Sequence, residues 1–313
     1  MTNTEQSRLL SHTVSPNDLK QTLTSIRDHI KQNAANSQFS EEEQYRILEQ
    51  LAQFDFGRYL LQNRGINGFW THYMLTHPWY GRKTRKNNRG DAISELEAFI
   101  LDRAPTMLAT QQRFEIFLRE NQQSVKNGAK LACIPCGMMG ELLYLNYDKV
   151  EHIDLIGIDY DAEALKDAHL LADKMGLTKR IHCLQEDAWA LKHMNEFDLI
   201  SSNGLNIYEP DDEKVTKLYQ QFFKALKTGG KLVTSFLTYP PMLTNQCEWD
   251  MSKINMKDLQ KQRLIFADII QAKWQCFRSS LQTKEQLESV GFTNVHFIYD
   301  EAKLFPTVVA LKT

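Results

Sequence analysis

Two apolar runs constrain this chain more than any other feature. The first is Lys130-Leu-Ala-Cys-Ile-Pro-Cys-Gly-Met-Met-Gly140, which breaks into a glycine-bearing turn. The second is Ile153-Asp-Leu-Ile-Gly-Ile158, closed by Asp159. The carboxylate falls about twenty residues beyond the turn, the offset of a strand, tight turn, helix and second strand in a nucleotide-binding half of a doubly wound sheet. Downstream texture agrees. Strands are predicted at 129–135, 153–158, 180–184, 197–202 and 231–237. Helices are predicted at 161–175, stopping at Gly176, and at 211–227, stopping at Thr228-Gly-Gly230. Such alternation implies a parallel sheet with helices on both faces. The tail departs from it. After Pro240-Pro241, residues 253–282 read as one long helix and Thr283–Val290 as a short one. Val295–Tyr299 and Thr307–Leu311 follow with a link too short for a crossover, so they form an antiparallel hairpin.

Upstream of residue 129 no strand pattern appears. Residues 1–14 read as a frayed tail, and Ser15-Pro-Asn-Asp18 as a helix start running to about His29 or beyond. Ser40-Glu-Glu-Glu43 is a capping box ahead of Ile47, Leu48, Leu51 and Phe54 at helical spacing. An aromatic stretch, Phe69 to Tyr80, precedes a basic run, Arg82 to Arg89. Helices are predicted over Asp91–Leu101 and from Pro105, the latter carrying Arg113 near its middle. The expected organisation is a helical cap region over 1–125 and a Rossmann-like domain over 126–313. That domain is α/β, with a doubly wound, seven-stranded, mostly parallel sheet and an antiparallel final hairpin; 240–282 is a substrate-side insertion.

Composition narrows the class. The 313 residues are 42% hydrophobic with a net charge of −2, enough for a sizeable core and too little charge for a global field toward nucleic acid or anionic membrane. No run approaches the roughly 18 apolar residues that span a bilayer, and the N-terminus is polar, without a secretory apolar region. Five cysteines, an odd number without framework spacing, read as reduced thiols in a cytoplasmic setting.

The turn itself speaks to the ligand. A pyrophosphate wants Gly-x-Gly-x-x-Gly at a helix N-terminus, whereas Pro135-Cys-Gly-Met-Met-Gly140 carries two glycines, with proline at the first site. A cofactor without phosphates needs one close backbone approach, at Gly137 and Gly140, and a carboxylate for ribose, Asp159; each charge-assisted bond is worth roughly 1.5–3 kcal/mol. Cys133-Ile-Pro-Cys136 has redox spacing but no aromatic before it, and one cysteine pair cannot complete a zinc site, so no metal is expected.

In this ordered set the chain resembles the class I S-adenosylmethionine-dependent methyltransferases over about residues 128 to 313. The family's glycine-rich loop is matched by Ile134-Pro-Cys-Gly-Met-Met-Gly140, and its ribose acid by Gly157-Ile-Asp159. Its adenine-side acid is matched by Gln185-Glu-Asp-Ala188, and its fourth strand with following loop by Phe197-Asp-Leu-Ile-Ser-Ser-Asn-Gly204. Its "LK-x-GG-x-L" is matched by Leu226-Lys-Thr-Gly-Gly-Lys-Leu232, and its reversed final hairpin follows Gly291-Phe292. The resemblance implies S-adenosyl-L-methionine as cofactor, S-adenosyl-L-homocysteine as product, and contacts from Pro135, Cys136, Gly137, Gly140, Asp159, Tyr160, Asp187, Ala188, Asn203 and Gly204. Two departures stand out. Cys133 occupies a position that is usually Asp or Glu in the family, and Pro135 replaces its first glycine.

Methyl transfer from a sulfonium is an in-line displacement with an activated leaving group, so positioning supplies most of the catalysis and a base is optional. His72, His77 and Tyr208 are the candidate bases. Trp70, Tyr73, Tyr80, Arg113, Asn206 and Tyr208 are candidate substrate or lid residues, Arg113 toward the cofactor carboxylate or a substrate anion. The expected acceptor is a small molecule methylated at O or N. After the fourth strand, Ser202-Asn-Gly-Leu205 lacks the Asn/Asp-Pro-Pro-aromatic pattern of nucleic-acid amino-methylating enzymes. Two alternatives share the fold: an NAD-type oxidoreductase and a non-catalytic S-adenosylmethionine-binding protein.

Overall fold

The computed structural model describes residues 18–33 and 38–313. The expected tail and most of the first helix start lie outside them. Contacts divide the described chain into two compact units: residues up to Gln111 with Met251–Trp274, and Gln112–Asp250 with Gln275–Thr313.

The first unit is helical. It holds α1 (Leu19–Asn33), α2 (Glu41–Leu51), α3 (Asp55–Asn63), α4 (Gly68–Thr76), α5 (Gly81–Thr84) and α6 (Glu95–Asp102). Ser40 and Glu43 close the predicted capping box at the head of α2. Helix α6 starts later than its apolar pattern suggested, because Ser94 caps it by accepting from Glu97 N–H and Lys86 bridges to Ala92 ahead of it. Helix α7 (Pro105–Gln122) spans the unit boundary at Gln111.

The second unit carries β1 (Ala129–Cys133), α8 (Gly140–Leu143), β2 (Ile153–Asp159), α9 (Ala162–Lys174), β3 (Ile181–Gln185), β4 (Phe197–Ser202), α10 (Asp212–Ala225) and β5 (Leu226–Ser235). Its seven-stranded sheet runs β3-β2-β1-β4-β5-β7-β6, where β6 is Thr293–Ile298 and β7 is Thr307–Leu311. Strands β1 to β5 pair in parallel, and β7 is antiparallel to both neighbours, as the short link required. Period-two alternation sends Leu131, Leu155, Leu199 and Val233 into one core and Ala132, Ile156, Ile200 and Leu232 into the other, so each sheet face is covered. The order reverses at β1, between β2 and β4. Ligands of open α/β sheets bind at the carboxyl ends of the strands at such a switch point.

Three expectations need correction. The segment 253–282 is not one helix. Asn255 caps α11 (Met256–Arg263), a π-turn follows over Leu264–Ile269, and Gln271 enters the left-handed region. Ser279 then caps a new helix, α12 (Ser280–Ser289), earlier than expected. Side chains of α11 bond back within the first unit, Arg103 to Asp258 and Thr106 to Gln262, which is why Met251–Trp274 clusters there. Secondly, the helix between β1 and β2 is a single turn, α8. Asn146 stops it: its side chain accepts from Asp148 N–H, and its backbone exchanges two bonds with the Gln122 side chain. Thirdly, the Gly-Gly expected to stop the 211–227 helix lies inside β5, since α10 already ends at Ala225. Gly229 (φ 79°) and Gly230 form an irregularity bonded to Lys312 on either side, with the register shifting between Phe197 and Leu199. Among the described residues no helix is long and apolar enough to cross a membrane.

Candidate functional site

The carboxyl ends of β1, β2 and β4 assemble the site from residues of the second unit. The loop after β1 turns through Gly137 (φ 48°) and Met139 (φ 56°), both left-handed. Cys136 N–H donates to Ile158 carbonyl at 2.9 Å, pinning the loop to β2. Gly157 is a space requirement: a β-carbon there would crowd Met139 and Cys136, whose side chains fill the cleft between loop and strand. Gly140 faces ordinary contacts with Phe114 and Tyr144, so space alone does not require glycine there.

Asp159 ends β2 almost fully buried. Its Oδ2 accepts from Gly137 N–H at 2.9 Å, and its Oδ1 from Asp161 N–H at 3.0 Å. Burial pushes its pKa up, and the backbone donors of Asp161, Gly137 and Tyr160 hold it back. A carboxylate has about four acceptor positions, so lone-pair capacity remains beyond these backbone donors for a hydroxyl of a ribose diol. At the end of β3, Asp187 caps a short turn by accepting from Trp189 N–H at 2.9 Å; Ala188 is buried beside it. Tyr160 is half-buried, its carbonyl taking a bond from the Gln185 side chain.

Beyond β4 the structure brings Arg113, Asn203 and Gly204 together. Arg113 is buried, donates from Nη1 to Ser235 Oγ at 3.2 Å, and stacks on Phe305 with 3.4 Å from guanidinium carbon to ring centroid. Its Nε has no partner, nor has Asn203 Oδ1. Burial pulls the Arg113 pKa down, while the charges of Glu141, Asp300 and Tyr208 push it back up. Gly204 (φ 81°) is constrained twice over, because a β-carbon would also stand 3.4 Å from Arg113 Nη1.

Sequence reading missed Glu141. As the residue after Gly140 it looks like an exposed first-turn acid, yet it is buried. Its Oε2 accepts from Ser201 Oγ and from Cys133 Sγ at 3.5 Å. Burial raises its pKa, opposed by hydrogen bonds from Ser201 and Asn203 and by the charge of Arg113. Cys133 and Ser201 are register partners across β1 and β4, which is how both reach one carboxylate.

Other candidates are committed elsewhere. Asn206 donates to Tyr219 Oη at 2.8 Å, and its carbonyl accepts from Arg278, so its place is in scaffolding. In the first unit Trp70 is buried against Phe56, Tyr59, Phe69 and Tyr73, and Tyr73 donates to buried Glu97 at 2.8 Å. His72 passes its carbonyl to Thr76 within α4, and Tyr80 is exposed. His77 is buried with Nε2 3.0 Å from Asp102, and burial lowers its pKa against that carboxylate's pull. Cys133 and Cys136 are free thiols whose pKa values burial drives well up, the reverse of what redox chemistry needs. Among the described residues no group of three or more His, Cys, Asp or Glu is placed to hold a metal ion.

Comparison with known proteins agrees with this geometry. A family model described as a methyltransferase domain matches residues 134–277. A crystal structure of a protein called a possible exported protein from Bordetella parapertussis is 41% identical, with a TM-score of 0.88, covering 96% of this chain and 99% of that one. More distant likenesses add nothing to the fold already described. They include phosphoethanolamine N-methyltransferase 2 of Haemonchus contortus (14% identity, TM-score 0.46, 63% of this chain and 52% of that). Another is a methyltransferase of Methanosarcina mazei (17%, 0.43, 62% and 96%). No curated protein matches. The sheet order, the loop and carboxylate at its switch point and the domain match converge: over residues 134–277 this chain carries a methyltransferase domain on a class I, Rossmann-like sheet, with S-adenosyl-L-methionine as its cofactor.

Proposed function

We propose that this chain methylates a small-molecule O or N acceptor, with the cofactor seated across the carboxyl ends of β1, β2 and β4. The observation that carries the placement is Asp159, a buried carboxylate bonded to the β1 loop through Gly137 N–H and retaining lone pairs for a diol. The cofactor, when bound, supplies a methyl group on a sulfonium leaving group. Asp159 orients the ribose. Asp187 and Ala188 border the adenine, and Pro135, Cys136 and Gly137 form the floor. Asn203, Gly204 and Arg113 border the amino-acid end, where two buried polar atoms wait for partners.

Methyl transfer by displacement asks the protein chiefly to align acceptor, methyl and sulfur. Tyr208 is close enough to Arg113 for its phenol to bear on the guanidinium charge, which makes it the acceptor-side group best placed in the second unit. The other expected substrate-side residues, Trp70, His72, Tyr73 and Tyr80, lie in the first unit. The absence of a strong net charge supports a small acceptor over a nucleic acid, and five free cysteines support a reducing, cytoplasmic setting.

Isothermal titration with S-adenosylhomocysteine and with NAD tests the reading. Micromolar binding of the former and none of the latter is expected. Preference for NAD would overturn it.

A further inference from the structure

Two opposite charges lie buried in the second unit, and their hydrogen bonds go elsewhere. Arg113 spends Nη1 on Ser235 and keeps Nε unused. Glu141 is the first charge acting on Arg113, yet its carboxylate is held by Ser201, Asn203 and Cys133. A buried cation and anion left unpaired are costly unless something else completes them. An α-amino acid, with one carboxylate and one ammonium on the same carbon, has the complementary charges.

The hold on Glu141 is itself ordered. Asn121 is fully buried at the end of α7. Its Nδ2 donates to Ser201 Oγ at 3.0 Å and to the Glu141 carbonyl at 3.2 Å. With its lone pair engaged, Ser201 turns its own proton to Glu141 Oε2. Cys133 adds a weaker bond from the neighbouring strand. Three neutral donors thus fix the carboxylate without neutralising it. Cys133 cannot supply the negative charge itself, since its thiol is buried beside Glu141.

We propose that Glu141 receives the α-ammonium of the cofactor, with Asn121 and Ser201 as its positioning residues. The anion that reads the amino group therefore comes from the turn after the glycine loop instead of from β1. This inference rests on the cofactor placement proposed above.

The test compares S-adenosylhomocysteine with 5′-methylthioadenosine, which keeps the adenosine and sulfur and lacks the amino-acid end. Titrations use wild type, Glu141→Gln and Ser201→Ala, each checked for an intact thermal transition. Glu141→Gln is expected to weaken S-adenosylhomocysteine about 10-fold or more and to leave 5′-methylthioadenosine within about twofold. Ser201→Ala is expected to act in the same direction by about threefold, a loss of one orienting bond. Acidification should weaken S-adenosylhomocysteine more than 5′-methylthioadenosine in wild type, and Glu141→Gln should erase that difference. Equal weakening of the two ligands, or no change in either, overturns the proposal. Should Glu141→Gln not fold, the Ser201→Ala pair and the wild-type pH comparison decide it alone. A wild-type protein that binds neither ligand overturns the cofactor placement itself, a result distinct from any selective loss.

Discussion

The β-carbon that Gly157 lacks would stand 2.6 Å from Met139 Sδ and 3.2 Å from Cys136 Sγ. Strand β2 and the β1 loop are therefore packed through a glycine, and the loop's height above the sheet is set by that contact. Gly157→Ala is expected to destabilise by about 1–3 kcal/mol through overpacking. It should also weaken S-adenosylhomocysteine, because Gly137 N–H moves away from Asp159. Urea titration and calorimetry measure the two effects. An unchanged midpoint would mean that Met139 finds another place.

Asp159→Asn preserves shape and removes charge. One amide oxygen can still take a backbone N–H, but its NH2 faces a donor, either Gly137 N–H or Asp161 N–H. Affinity for S-adenosylhomocysteine should fall about 10-fold or more, the loss of charge-assisted bonds to a diol. A variant with wild-type affinity would place the ribose elsewhere.

Burial raises the pKa of both Asp159 and Glu141. The folded state thus holds protons that the unfolded chain gives up. The stability these two groups contribute is full below the ordinary carboxylate pKa of about 4 and is lost as pH rises through their raised values. Cofactor affinity runs the other way, tightening over the same window as the carboxylates ionise. Relative to Asp159→Asn, which does not titrate there, the wild-type melting temperature should rise on acidification and fall as pH rises through the raised value. A wild type that loses ground to the variant on acidification would contradict the sign.

Arg278 is 2% exposed and ties its own segment to the stretch 206–212. It donates to the carbonyls of Asn206 at 3.1 Å and Glu209 at 2.7 Å, and to Asp212 at 2.9 Å. Arg278→Ala strands two carbonyls and should cost about 3 kcal/mol. Because Asn206 and Tyr208 lie in the loop it anchors, acceptor KM should rise more than cofactor Kd. A variant with normal stability would show that water replaces the guanidinium.

The sheet was readable because its signals are local. Short apolar runs such as those around Leu131-Ala132 and Leu199-Ile200 mark the strands, and the link before Thr307 is too short for anything but a hairpin. Asp159 was readable because its place at a strand end is a matter of spacing. Glu141 was not, since its burial depends on Asn121 and Ser201, twenty and sixty residues away. The break in 253–282 was hidden for a related reason: Leu264, Ile265, Phe266 and Ile269 keep an apolar run going while the backbone widens to a π-turn and then reverses at Gln271. The roles of Trp70 and Tyr73 also turned on distant partners, Phe56 and Glu97.

The single turn of α8 has a consequence for which metabolites can compete. Anchoring a di- or triphosphate tail relies on the summed peptide dipoles of a longer helix aimed at its charge. Four residues align too few of them, and the buried carboxylate of Glu141 in that same turn disfavours such a tail. Adenosine compounds are thus sorted by what hangs from the 5′ carbon. Under the cofactor placement proposed above, ATP and NAD, which share the adenosine, are expected to meet an electrostatic penalty that a tail carrying an amino acid avoids.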